Sequence, residues 1–217
     1  MTGEVYHVYT RSIAGFRIFH YPDHYRRFEN LMRYYRFENP SGPYAFFCRS
    51  SATLRQGLEA SLKKMEALCP KRIEIIAYCL MPTHVHIALK QLAPDGISFF
   101  MAALLDSYSR FFNTRFKRSG PLWESRFKRK HCATDEQLLH LTRYIHLNPV
   151  TAFLVDHPSQ WEFSSYGEYV NSRSFNARFC DFEKWIRLSP PGYQNFTEDR
   201  IAAQRDLAIL KDLIEND

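Results

Sequence analysis

The chain has 217 residues, of which 45% are hydrophobic and 16% aromatic, so it can bury a core and wholesale disorder is excluded. Its apolar runs are short and broken by charge, which excludes a membrane-spanning helix, and the N-terminal MTGEVYHVYTRS lacks the layout of a signal peptide, so we expect a cytoplasmic protein. The formal net charge of +6 makes nucleic acid a candidate partner.

The first third of the chain predicts one strand followed by two helices. Residues 5–10 (VYHVYT) are β-branched and aromatic, which is typical of a strand. Residues 23–35 have apolar side chains at helical spacing. Residues 38–51 contain Pro40, Gly42 and Pro43 and predict a loop, whereas residues 53–69 predict a second helix that Pro70 ends.

The middle of the chain predicts a hairpin, a long helix and a further strand. Residues 72–81 and 84–90 are strand-like and are separated by Pro82 and Thr83. Residues 97–117 predict a helix, and residues 122–131 a strand.

Two further helices are predicted towards the C-terminus. Thr134 and Gln137 have the spacing of a capping box, and Pro149 is expected to end that helix at about Asn148. Residues 199–214 have apolar side chains at helical spacing, namely Ile201, Leu207, Leu210 and Ile214.

This order of elements predicts an α+β fold. It fits a ferredoxin-like antiparallel sheet if the first two helices count as one interrupted crossover, with the helices packed on one face of the sheet. The five cysteines are odd in number and have no paired spacing, so we expect reduced thiols and neither a disulfide framework nor a structural zinc site.

The excess positive charge is concentrated in residues 107–131. This segment has eight lysines and arginines against one acid, Glu124, and aromatic residues alternate with them. Cations neutralise phosphates and aromatic rings stack on bases, so the segment is a candidate nucleic-acid surface. The alternative is a solvated basic face whose aromatic residues belong to the core.

Two short patterns carry possible chemistry. His84 and His86 are two apart on a predicted strand, so they point to the same side and can converge on one metal ion, unless they are simply surface histidines. Tyr144 and Asn148 are four apart on a predicted helix and share a face. Tyrosine offers a phenol and asparagine a hard oxygen ligand, although both residue types are also common at helix seams and ends.

Four segments together resemble one known family, the single-tyrosine HUH (IS200-like) transposases and their REP-associated tyrosine transposase branch. The resemblance runs from about Glu4 to Tyr169. The segments, in the family's order, are residues 78–86 (YCLMPTHVH), 120–128 (GPLWESRFK), 144–150 (YIHLNPV) and 161–166 (WEFSSY).

The chain departs from the family pattern at several positions. Thr83 stands where the family usually has Asn or Asp, and Thr151 and Phe153 stand where it tends to have a basic residue and glycine. Residues 36–51 look like an insertion, and residues 170–217 have no clear counterpart. The resemblance therefore implies a catalytic domain over residues 1–169 and a C-terminal extension over residues 170–217 that docks on it.

The resemblance implies a site and a reaction. Tyr144 corresponds to the nucleophile, and His84, His86 and Asn148 correspond to the ligands of a divalent Mg²⁺ or Mn²⁺. Attack by Tyr144 on single-stranded or hairpin DNA would give a 5′-phosphotyrosine and a free 3′-hydroxyl, and the reverse step would join strands. The residues we expect to contact DNA are Arg110, Arg118, Trp123, Arg126 and Lys128, with a core role as the alternative for Trp123.

The resemblance also implies a bacterial, nucleoid-associated protein that recognises palindromic repetitive DNA. A monomer is expected from the REP-associated branch, and a homodimer that exchanges tyrosine helices is the alternative. The rival function is a catalytically inactive DNA- or RNA-binding regulator on the same fold. A relaxase or a replication initiator would share only the histidine motif with this chain. A zinc hydrolase would need a third nitrogen, sulfur or carboxylate ligand, and the sequence shows none at a spacing typical of zinc sites.

Overall fold

A computed structural model describes residues 1–173 and 178–215, with the side chains of residues 210–215 left out of the description. The described residues form a four-stranded antiparallel sheet in the order β2-β3-β1-β4. The strands are β1 (Val5–Arg11), β2 (Ile73–Met81), β3 (His84–Gln91) and β4 (Lys128–Cys132). This is the ferredoxin-like order, so the predicted fold class is confirmed.

Helices fill both crossovers and follow the last strand. Between β1 and β2 lie α1 (Pro22–Tyr35), α2 (Tyr44–Arg49), α3 (Ser51–Gln56) and α4 (Leu58–Leu68). Between β3 and β4 lies α5 (Gly96–Arg115), and after β4 come α6 (Asp135–Thr151), α7 (Tyr166–Tyr169), α8 (Pro190–Glu198) and α9 (Ile201–Glu215). Within the described ranges, every helix is too short or too polar to cross a bilayer.

The helices pack on both faces of the sheet, so the expectation of helices on one face is wrong. Ile75, Ile87 and Val8 belong to the core under α1 and α5, whereas Cys79 and Ala88 belong to a second core under α6. The physical reason is that β2 is buried on both sides along its whole length, and β3 is buried at six of its eight residues. A bulge between Ile75 and Ala77 interrupts the alternation of β2 and puts the neighbouring residues Ile76 and Ala77 into the same core, under α6.

The segment that connects α1 to β2 contains more helix than predicted. Residues 38–51 were predicted as a loop, but α2 lies within them, because Pro43 precedes the helix with extended backbone and the Tyr44 side chain is buried. The helix predicted over residues 53–69 is two helices, separated at Gly57, whose φ of 85° a helix cannot contain.

Helix α6 continues past Pro149 to Thr151, so the prediction that it ends at about Asn148 is wrong. Proline lacks the N–H that would bond to the Ile145 carbonyl. The Asn148 amide nitrogen lies 3.4 Å from that oxygen and 2.8 Å from the Tyr144 carbonyl oxygen, so it partly supplies the missing donor.

Strand β4 starts later than predicted, at Lys128 and not at residue 122. Its pairing with β1 begins at Tyr9 and Lys128, and before that point the chain pairs with the continuation of β1 at a bridge between Ser12 and Trp123. Leu122 is buried in the core. The start of residues 122–131 is therefore apolar because it packs in the core, although it does not form a strand.

The residues after Tyr169 cover the open edge of β2 and complete both cores. The Asp181 N–H donates to the Ile75 carbonyl oxygen, and Phe179 and Tyr193 are buried. The predicted helix over residues 199–214 is α9, in which Leu207 is 60% exposed. The side chains of Leu210 and Ile214 lie outside the described residues.

Candidate active site

The candidate site lies on the α6 face of the sheet, where three neighbouring strands present polar side chains. Strand β1 runs between β3 and β4, and directly opposed residues of antiparallel strands project to the same face. The opposed pairs are His84 with Arg11, His86 with Tyr9, Tyr9 with Lys128, and His7 with Lys130. The strand register therefore gathers imidazole, phenol and cationic groups on one surface.

Helix α6 brings Tyr144 to this surface. The Tyr144 ring stands edge-on to the His86 ring at a centroid distance of 5.6 Å and to the His7 ring at 5.9 Å. Tyr144 and Asn148 line the same cavity of about 460 Å³ as His84 and His86. The structure thus gathers four distant sequence positions, two from a strand and two from a helix, around one space.

The position of α6 is fixed at its start and along its buried side. Thr134 caps the helix by accepting a hydrogen bond from the Gln137 N–H, as the capping-box spacing predicts. The Gln137 side chain accepts its bond from the Ala133 N–H, one residue before the position that a capping box predicts. The buried His146 ring lies 2.7 Å from Ser165 Oγ and 2.8 Å from the Tyr193 hydroxyl. Because Tyr144 is two residues from His146, these bonds hold it at the cavity.

The histidine pair is oriented by neighbours. His84 Nδ1 lies 3.0 Å from Thr83 Oγ1, and His86 Nδ1 lies 3.0 Å from His7 Nε2. No group of the described residues is bonded to Nε2 of either ring. Both histidines therefore have one nitrogen held by the protein and the other available to a ligand.

Burial keeps these imidazoles neutral. It lowers the pKa of His84 to about 4, with a further contribution from Arg11. It lowers the pKa of His86 to about 3, assisted by His84 and His7. Burial, followed by the charge of Lys130, lowers the pKa of His7 to about 4. Neutral imidazole is the form that binds a metal ion, so both candidate ligands are ready at neutral pH.

The donor set fits a divalent cation that keeps open coordination positions. Two neutral imidazoles with Nδ1 held by second partners have the arrangement found around metal-bound histidines. Among the described residues no cluster of three His, Cys, Asp or Glu side chains could hold a metal, so a third protein ligand has to be of another type. Asn148 lines the same cavity and its amide nitrogen is bonded to the helix, which makes Oδ1 the candidate third ligand.

Tyr144 is protonated at neutral pH in this environment. Burial raises the pKa of its phenol, and the neighbouring Asn148 amide opposes part of that shift. The side chain is nevertheless 44% exposed, so a substrate can reach it. A phenol in this state needs a polarised electrophile to act as a nucleophile.

The predicted DNA-contacting residues fall into two groups. Arg126 and Lys128 line the cavity together with Arg11 and Lys130, against one acid, Glu124. Because these cations surround the histidines and Tyr144, the cavity attracts a phosphate.

Three of the predicted contacts lie elsewhere. Arg110 is on the exposed side of α5, and its side chain pairs with Asp106 at 3.0 Å. Arg118 donates to the Pro121 carbonyl oxygen at 2.7 Å and so holds its own loop. Trp123 packs against the core, and its N–H donates to Ser109 Oγ at 2.9 Å, which is the core role given as the alternative.

Sequence reasoning missed four side chains that bring an aromatic ring or a positive charge to the cavity: His7, Tyr9, Arg11 and Lys130. The first three alternate along β1, so they share a face of that strand. The ferredoxin-like order that the sequence predicts also puts β1 beside the histidine strand. The alternation along β1 and the predicted strand order together would have suggested these side chains as site residues. The register that places Tyr9 opposite His86, however, is set by pairing between strands that are distant in the sequence.

Comparison with known proteins gives matches to transposases. The family described as "Transposase IS200 like" matches residues 50–148, a range that contains His84, His86, Tyr144 and Asn148. A putative REP-associated tyrosine transposase of Haemophilus influenzae is 28% identical over an alignment of 113 residues, and the alignment covers 47% of this chain and 64% of that protein. The alignment therefore spans less than two thirds of that relative.

A solved structure has the same fold. It is a REP-associated tyrosine transposase bound to a REP hairpin, and it superposes with a TM-score of 0.51 at 15% identity, over 87% of this chain and 94% of that one. At this identity the likeness is one of fold. The family match and the Haemophilus influenzae relative confirm the resemblance to the IS200-like and REP-associated tyrosine transposases, and the solved structure agrees with it in fold.

Proposed function

We propose that this chain is a metal-dependent endonuclease and strand transferase that acts on single-stranded or hairpin DNA through a 5′-phosphotyrosine. The observation that carries the proposal is the meeting of Tyr144 with His86, at 5.6 Å between rings, in a cavity that also contains His84 and Asn148.

The residues divide the work of the reaction. Arg126, Lys128 and Lys130 attract the backbone and hold the scissile phosphate near Tyr144. Tyr144 Oη attacks the phosphorus, which forms a 5′-phosphotyrosine and releases a 3′-hydroxyl. The proton that the phenol loses is balanced by the proton that the leaving oxygen gains, and one phosphodiester replaces another. The reverse step therefore needs no external energy source.

His84, His86 and Asn148 are the residues that would hold a divalent cation. When bound, Mg²⁺ or Mn²⁺ supplies polarisation of the phosphate and stabilises charge on the leaving oxygen. The neutral state of both imidazoles and the second partner on each Nδ1 support this assignment.

Two features support unpaired or hairpin DNA as the substrate. In-line attack by Tyr144 requires a backbone that can bend into a cavity of about 460 Å³, which a regular duplex resists. The solved structure of the same fold contains a REP hairpin, so a hairpin formed by a palindromic element is the first substrate to test.

We further propose that the protein acts as a monomer. Tyr144 faces the histidines of its own chain, and the His146, Ser165 and Tyr193 contacts hold α6 there. A homodimer that exchanges tyrosine helices would have to break these contacts. Light scattering on the protein with and without hairpin DNA should give the mass of one chain.

The test of the chemistry is covalent capture. With a labelled hairpin oligonucleotide and Mn²⁺, the protein should form an adduct that survives denaturing electrophoresis and maps to Tyr144. Tyr144→Phe should form none. Tyr9→Phe is the matched control because Tyr9 lines the same cavity, and it should still form the adduct.

The rival, a binding protein without chemistry, gives a different set of results. If the parent binds the hairpin but forms no adduct with Mn²⁺ or Mg²⁺, the enzymatic proposal is wrong. An adduct that persists in Tyr144→Phe and disappears in Tyr9→Phe would show that Tyr9, and not Tyr144, is the nucleophile. Chelation by EDTA should abolish the adduct of the parent and leave hairpin binding measurable.

A further inference from the structure

Two features of the sequence play no part in the active site, and they meet at one place in the fold. They are the basic surface of α5 that contains Arg110 and the inserted segment of residues 36–51. Together with α1 they form a second groove of about 830 Å³. Helices α1 and α5 cover the sheet face opposite α6, so this groove, on the outer side of the helical layer, is remote from Tyr144.

The groove has a surplus of positive charge. Arg27, Arg49, Arg110 and Arg115 line it with one acid, Asp106, which gives a net charge of +3. Asp106 pairs with Arg110 at 3.0 Å, and both side chains are well exposed, so that pair is weak. Arg49 and Arg115 are exposed as well. A polyanion is the ligand that this balance attracts.

Arg27 forms part of the groove wall. Its guanidinium lies 4.7 Å from the centre of the Phe111 ring and 5.1 Å from that of Tyr44, so the three side chains form a stacked unit. Its Nε is buried and has no partner among the described residues. The groove is therefore built around a fixed cation that no carboxylate of the described chain neutralises.

An exposed aromatic ring stands beside these charges. Phe46, on α2, is 66% exposed at the groove. An exposed phenylalanine next to arginines is the combination on which unpaired bases stack while the backbone is neutralised. Bases in a duplex are already stacked on each other, so a ring of this kind favours a single strand. An acidic peptide would use the charges but not the ring.

We propose that this groove binds an unpaired stretch of the DNA that lies outside the active site, an inference that rests on the proposed function for its choice of DNA. The sheet and one helical layer separate the two places, about 20 Å by ordinary element dimensions. At 3.4 Å per nucleotide, roughly six or more unpaired nucleotides have to follow the hairpin before the strand reaches the groove. Short substrates would therefore not use it.

The experiment compares two labelled hairpins, one with a minimal flank and one with a dT tail of about 20 nucleotides, by fluorescence anisotropy. Tails are added to the 5′ and the 3′ end in separate oligonucleotides. The parent should bind one tailed hairpin at least about tenfold more tightly than the untailed one. Phe46→Ala and Arg49→Glu should each remove most of that gain and leave the affinity for the untailed hairpin unchanged.

Matched controls separate the groove from general effects. Phe99→Ala removes an aromatic residue that is 61% exposed outside the groove, and Arg55→Glu reverses an exposed charge on α3. Both should keep the gain from the tail. Arg49→Glu should also lower the salt dependence of the tailed complex by about one phosphate contact.

Three results would overturn the proposal: no gain from either tail in the parent, an equal gain in the Phe46 and Arg49 variants, or a poly-glutamate peptide that competes as well as the tail does. The proposed function fails in a distinguishable way, because it depends on the Tyr144 adduct with the untailed hairpin. The groove variants should form that adduct at the parental rate.

Discussion

At the scale of single residues, His7 is the side chain that most changes the interpretation of the site. Its Nε2 lies 3.0 Å from Nδ1 of His86, and the two rings stack at 5.2 Å. A group that bonds to the second nitrogen of a metal ligand fixes the orientation of that ligand. We therefore propose that His7 is a positioning residue for His86.

Replacing His7 by Phe should weaken Mn²⁺ binding about tenfold or more, because the ring stacking is kept and the hydrogen bond is lost. The free Mn²⁺ signal in electron paramagnetic resonance titrations measures this directly. His7→Gln should recover part of the affinity, since its amide can bond to His86. Tyr9→Phe keeps its ring beside His86 at 5.9 Å and should bind like the parent. Parental affinity in His7→Phe would show that His86 is held by packing alone.

The sequence predicted the residues with an unusual chemical identity and missed those that depend on register. His84, His86, Tyr144 and Asn148 form recognisable short patterns, and all four line one cavity. Arg110 and Arg118 were expected to contact DNA because they are basic, but they lie outside this cavity, since α5 packs on the other face and Arg118 binds the carbonyl oxygen of Pro121 in its own loop. A count of basic residues along the sequence does not determine on which face of the sheet their side chains lie.

At the scale of elements, α6 carries the nucleophile and is held by a buried histidine. His146 lies between Ser165 and Tyr193, and burial lowers its pKa to about 3. The unfolded chain binds a proton at this histidine near pH 6.5, whereas the folded chain binds it only near pH 3. Between these values the unfolded state holds more protons, so acidification destabilises the fold.

The contribution of His146 should be visible in the pH dependence of unfolding. Between pH 7 and about pH 4.5 this histidine should cost the parent about 2–3 kcal/mol of unfolding free energy. Urea titrations of His146→Gln at both pH values should show a correspondingly smaller loss. His140→Gln, on the exposed side of the same helix, should show the parental loss. An equal loss in parent and His146→Gln would mean that the ring is charged within the fold.

The boundaries of elements were predictable where local signals act alone. The Thr134 cap starts α6 as expected, and the hairpin forms where Pro82 and Thr83 predict it. Two errors have a tertiary cause. Asn148 supports the helix through Pro149, and burial of Tyr44 draws the 38–51 segment into a helix despite its prolines and glycine. Neither compensation can be seen in a local sequence window.

At the scale of the whole molecule, the C-terminal extension is tied to the first helices through buried charge. Arg173 donates to Glu29 at 3.0 Å and contacts the Tyr78 hydroxyl, which itself donates to Glu29 at 2.6 Å. Glu168 also faces Arg173, at 3.7 Å, and burial raises the pKa of that carboxyl. One cation from beyond Tyr169 therefore neutralises groups from α1 and α7.

We propose on this basis that residues 170–217 belong to the same cooperative fold as residues 1–169. Arg173→Ala should leave the buried Glu29 without a cation beside it and lower the unfolding free energy by about 3–5 kcal/mol. The exposed pair of Arg26 and Glu162, at 3.9 Å, supplies the control, and Arg26→Ala should cost no more than about 1 kcal/mol.

Urea unfolding followed by both far-ultraviolet circular dichroism and tryptophan fluorescence tests the cooperativity at the same time. Trp185 lies in the extension, and Trp123 and Trp161 lie before it, so the probes sample both parts. In one cooperative fold the two transitions coincide in the parent and move together in Arg173→Ala. If Arg173→Ala unfolds at the same urea concentration as Arg26→Ala, or shifts only the fluorescence transition, the extension is a separate layer whose loss the catalytic part tolerates.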